Sequence, residues 1–79
     1  MAIISTTRAT ERLSRKLQRA GINQWIGKTS GDKWGNYLFF EVGGKCVGSA
    51  GWTLADAEAQ VDHAITYKDC ENAPPAPQL

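Results

Sequence analysis

The sequence predicts an α+β domain: a three-stranded antiparallel sheet with helices packed on one face, in the order α-β-β-β-α. Two observations carry this. The stretch from Tyr37 to Ile65, YLFFEVGGKCVGSAGWTLADAEAQVDHAI, reads as a strand, a glycine turn, a second strand and a capped amphipathic helix. The stretch before it reads as an amphipathic helix closed by Gly21 and followed by a period-two segment.

The first helix is expected from Thr7 to Ala20. Ser5, Thr6 and Thr7 offer N-cap hydroxyls, and Gly21 supplies the stop. Leu13, Leu17 and Ala20, extended by Ala9 or Thr10, follow the spacing of a buried stripe. Arg8, Arg12, Arg15 and Arg19 fall on one face, with Lys16 beside them. Like charges at this spacing repel by a few tenths of a kcal/mol per pair, which gives the basic face some weight as a binding surface. A solvated face is the plainer explanation.

Ile22 to Lys28 alternates as a strand, and 29–33 is rich in turn formers. Tyr37 to Val42 is the second strand. Gly43-Gly44 fits a two-residue type I′ turn, and the third strand runs from Lys45 to about Ala50. That turn would set Phe40 against Val47, Glu41 against Cys46, Leu38 against Ser49 and Phe39 against Gly48. Leu38, Phe40, Val42 and Val47 then make the cleaner apolar face, expected beneath the helices. Tyr37 and Phe39 are expected on the open face, with Trp25 joining them.

Thr53-Leu54-Ala55-Asp56 resembles a capping box and opens the last helix. Its stripe is Leu54, Ala57, Val61, Ala64 and Ile65. The domain is expected over 1–70, with 71–79 a disordered tail containing Pro74, Pro75 and Pro77.

The chain has 79 residues, 42% hydrophobic and 22% charged, enough for one domain with a thin core. The apolar start, 1–4, is too short for a signal-peptide core, and no apolar run spans a bilayer. The expected location is cytoplasmic, without membrane contact. Cys46 and Cys70 are read as reduced thiols, with a disulfide left open.

Charge is uneven. Residues 1–35 hold seven basic residues against two acidic, a net of +5; residues 36–79 hold two basic against six acidic, a net of −4. Such polarity suits electrostatic docking. It equally suits a basic and an acidic helix neutralising each other within one fold.

No catalytic, cofactor or metal constellation is expected. His63 stands alone and is expected to be exposed, Cys46 has only Glu41 beside it, and two cysteines with one histidine lack the four ligands of structural zinc. The glycines at 43, 44, 48 and 51 lie in a hairpin rather than a phosphate loop. Three tryptophans exceed what a thin core absorbs. Trp52 is expected in the core, with Trp25 or Trp34 partly exposed as interface residues.

The element order and the segment VGGKCVGSAGWTLADAEAQVDHAI, over about 7–67, resemble the double-stranded RNA-binding domain. That resemblance implies the same fold. The family grips RNA with lysines at the start of its last helix. Here those positions read Leu54, Ala55, Asp56 and Glu58, and the two acids repel phosphate. The Thr-Leu-Ala-Asp-Ala joint is also similar to those of HicB-type antitoxins and integrase arm domains. In kind, a small polarised domain without an enzyme signature resembles phage-encoded inhibitors such as anti-CRISPR proteins.

The expected role is therefore a non-enzymatic protein-binding module, of the kind of a phage or mobile-element inhibitor of a host protein or nucleoprotein complex. Its partner-binding residues would be Arg8, Arg12, Arg15, Lys16, Arg19, Trp25, Trp34, Tyr37 and Phe39. The alternative is nucleic-acid binding through the basic first helix.

Overall fold

A computed structural model describes residues 4–32, 35–72 and 74–76. Six elements follow along the chain: β1 (Ile4–Ser5), α1 (Arg8–Arg19), β2 (Gln24–Asp32), β3 (Gly35–Glu41), β4 (Cys46–Gly51) and α2 (Leu54–Thr66). The α+β class and antiparallel pairing are as the sequence predicts. The sheet has four strands rather than three, in the spatial order β1-β2-β3-β4. The extra strand pairs Ile4 with Thr29 and Ser5 with Lys28. Two residues carry too little pattern to announce a strand; their pairing takes β2 to Thr29, and the pairing of Asp32 with Gly35 carries it on to Asp32. The segment 29–32, expected as loop, is thus the far end of β2.

Both helices are set by their ends. Thr7 caps α1: its hydroxyl accepts from the Thr10 N–H at 3.2 Å, and the Thr7 N–H donates to Thr10 Oγ1 at 2.7 Å. At the other end Ile22 N donates to Leu17 O and Gly21 N to Gln18 O, both at 3.0 Å, with Gly21 at φ +84°. This double closure satisfies the last carbonyls and needs the left-handed residue that glycine supplies. Thr53 and Asp56 form the same reciprocal cap on α2, each bond 3.2 Å long.

The β3–β4 turn differs from expectation. Gly44 N donates to Glu41 O, and Glu41 N to Lys45 O, both at 2.8 Å. Gly44 lies at φ +96°, while Gly43 is not left-handed. A type I′ turn needs both central residues at positive φ. The loop is instead three residues, a type I turn followed by a left-handed glycine. Phe40 therefore pairs with Cys46, one residue off the expected partner. A register shift between Phe39 and Phe40 restores Phe39↔Gly48 and Leu38↔Ser49 as expected. Val47 is the extra residue of that bulge.

The larger correction is the sheet face. The helices pack on Ile26, Tyr37, Phe39 and Ala50, together with Leu13 and Leu17 of α1 and Ala57 and Val61 of α2. Leu38 and Phe40 are buried on the other face. There the Trp25 ring stacks on Phe40, with centroids 4.5 Å apart. A Cβ on Gly27 would lie 2.8 Å from Phe40, 2.9 Å from Ile4 and 3.0 Å from Trp25. These side chains form a second apolar cluster around the glycine. The hairpin alone offers two apolar faces, and β2 chooses between them. Ile26 pairs with Phe39 and Trp25 with Phe40. The small Ala50 lies in the core beneath the helices, while the Trp25–Phe40 stack fills the opposite side. Val42 and Val47, expected in the core, are 68% and 50% exposed. Val42 stands in the turn and Val47 in the bulge, so neither follows strand alternation.

Side-chain bonds also tie α1 to its neighbours. Ser14 Oγ donates to Thr10 O at 2.8 Å and accepts from Ile26 N at 2.9 Å, tying α1 to β2 beyond the end of β1. Lys68 Nζ donates to Ala20 O, joining the segment after α2 to the end of α1.

Candidate interaction surface

Helix α1 buries Thr10, Leu13 and Leu17. At about 100° per residue, Arg8, Arg12, Arg15 and Arg19 then point roughly away from the sheet. All four are exposed, and the stripe spans about 16 Å at 1.5 Å per residue. Arg15 lies 4.0 Å from Glu11, the outer limit of an ion pair. Among the described residues, Arg8, Arg12 and Arg19 make no ion pair.

Lys16 does not belong to this stripe. It sits on the flank of α1 facing α2, where its Nζ donates to Asp62 Oδ1 at 2.6 Å. The pair bridges the two helices across 46 positions of sequence. The acidic half of the chain is partly spent within the fold in this way. Asp56 is likewise used, accepting from Trp52 N and Thr53 N, each at 3.2 Å.

The aromatic residues scatter. Tyr37 and Phe39 pack against the helix-side core and are not the open platform expected. Trp25 is half-buried on the opposite face, its Nε1 donating to Glu41 O at 2.9 Å. One flat partner cannot touch Trp25 and the outer face of α1 together, because the sheet lies between them. Trp34 lies outside the described residues. The structure thus brings together Arg8, Arg12, Arg15 and Arg19, and separates Lys16, Trp25, Tyr37 and Phe39 from them.

Trp52, expected in the core, is 49% exposed. Gly51 at φ +107° turns the chain between β4 and α2, so strand alternation stops there. Leu54, expected in the stripe of α2, packs against the core, and Trp52 does not join it there. The Trp52 backbone is nonetheless fixed: its carbonyl accepts from Asn36 Nδ2 at 3.1 Å and its N–H is held by Asp56. A glycine before the residue and a capping threonine after it were the available signals.

His63 is half-buried rather than exposed. Its ring lies 4.9 Å from that of Tyr67, tilted by 47°. Its Nε2 is 2.8 Å from the carbonyl oxygen of Pro74, so that nitrogen carries the hydrogen and donates.

Cys46 and Cys70 are both free. Among the described residues no group of three His, Cys, Asp or Glu side chains is placed to hold a metal, and no helix is long and apolar enough to cross a membrane. Compared with known proteins, the chain matches no family model, no curated protein and no solved structure.

Proposed function

We propose that this chain is a non-enzymatic binding module that docks an acidic surface of a partner protein through the arginine stripe of α1. The observation that carries the reading is the outward stripe itself: four exposed arginines, three of them without an ion pair among the described residues. Guanidinium groups suit interfaces because they are weakly hydrated and grip carboxylates in a two-pronged fashion. The fold supports the stripe from below through Leu13 and Leu17, so it is presented on a packed helix. An inhibitor of a host protein or nucleoprotein complex, of the phage kind, is the form of this role that fits a small domain with polarised charge.

A second reading is supported by the same arginines. Four cations along about 16 Å of helix also suit a nucleic-acid backbone, with binding that weakens steeply as salt rises.

The test is recovery of partners from bacterial lysate on immobilised protein, with and without nuclease, at low and moderate salt. The expected result is a stoichiometric protein retained after nuclease and lost on Arg12→Glu plus Arg15→Glu. Retention of nucleic acid alone, with a salt-sensitive mobility shift on duplex RNA or DNA, selects the second reading. Equal recovery by the folded double variant removes the stripe from both.

A further inference from the structure

We propose that the flank of α2 formed by His63 and Tyr67 is a binding site for proline-rich peptide, filled in this chain by its own tail. The two residues are one helical turn apart, and their rings are in contact at 4.9 Å. His63 Nε2 donates to the Pro74 carbonyl at 2.8 Å. This is the chemistry by which aromatic grooves read polyproline. A polyproline segment makes no internal hydrogen bonds, so its carbonyls are free to accept from donors on such a groove.

The tail has the matching sequence. Pro74-Pro75-Ala76-Pro77 places prolines three apart, the repeat of a polyproline helix. Residues 74–76 are exposed, so the segment lies on the surface and is not built into the core. The route back to His63 is short. Tyr67 closes α2, and Cys70 N bonds to Tyr67 O at 3.1 Å, turning the chain out of the helix. Seven positions separate Tyr67 from Pro74, so a cis ligand is held at an effective concentration in the millimolar range, as for short flexible linkers. A weak site would be occupied on these terms. It would open to a proline-rich partner only when that partner competes with the tail. The arginine stripe plays no part in this, so either proposal can fail alone.

The experiment is a titration of two 15N-labelled proteins with a peptide of residues 72–79: the full chain and a chain ending at Glu71. The expected result is chemical-shift change centred on His63 and Tyr67 in the shortened chain, with apparent affinity at least tenfold weaker in the full chain. His63→Ala in the full chain should also raise the mobility of the tail, read by 15N relaxation at Ala76 because Pro74 and Pro75 carry no amide hydrogen. That arm needs no truncated protein. No localised shift at millimolar peptide, equal titration of both chains, or tail relaxation unchanged by His63→Ala overturns the proposal.

Discussion

Gly35 and Gly27 are both buried in the sheet, and they forbid a side chain for different reasons. Gly35 sits at φ +135°, and a Cβ there would meet the Gly51 carbonyl oxygen at 2.6 Å. Backbone cannot step aside, and the dihedral itself is strained for any L side chain. Around Gly27 the close neighbours are side-chain atoms of Phe40, Ile4 and Trp25, which can yield. Gly27→Ala is expected to cost about 1–3 kcal/mol, as overpacking does, and Gly35→Ala more than Gly27→Ala; urea titration of both variants ranks them. Trp52→Ala checks the reassigned tryptophan. A half-exposed side chain should shift stability by about 0.5 kcal/mol or less, whereas a core tryptophan would cost about 3–5 kcal/mol. The Lys16–Asp62 pair is more than half exposed on both sides, so Asp62→Ala should cost under about 1 kcal/mol, and less in high salt.

At the scale of elements, what was legible was what is local. Thr7, Gly21 and Thr53 set the helix ends through bonds reaching no more than five residues, so both helices stand where the sequence puts them. The sheet face was not legible, because Leu38 with Phe40 and Tyr37 with Phe39 are nearly equal in apolar character. Only the pairing of Trp25 and Ile26 with β3 breaks the tie, and that is a contact between distant segments. The same distinction explains the site. The arginine face follows from helical spacing, while the loss of Lys16 to Asp62 depends on how two helices meet. Ser14 joins the two kinds of information, since one hydroxyl serves both its own helix and β2. Ser14→Ala leaves the Ile26 N–H without that partner, a loss of about 1–3 kcal/mol for a buried donor. Hydrogen exchange at Ile26 should accelerate more than at the neighbouring β2 amides.

For the whole molecule, charge is divided between internal and external use. Asp62 and Asp56 are engaged inside the fold, while the arginines of α1 face outward. Arg12→Glu plus Arg15→Glu alters only that outer face, so unfolding midpoints should stay close to those of the parent chain. If the stripe docks an acidic partner, association should slow and affinity fall by about tenfold or more, with a flatter salt dependence. Calorimetry or surface binding at two ionic strengths measures both effects.

The two rims of the sheet have a consequence for the protein in concentrated solution. A row of unpaired N–H and C=O groups recruits any passing strand, and flat rims seed fibrils. Here one rim is β1, two residues long among the described residues. The other is β4, whose register slips twice against β3, between Phe39 and Phe40 and again between Tyr37 and Leu38. Short rims and bulged rims are poor templates, because an incoming chain cannot keep step with them. The slip that corrects the turn, together with the second one, thus also guards a small apolar sheet against growing by addition of its own copies. Quiescent samples should remain free of thioflavin-positive fibrils under conditions that leave the fold intact.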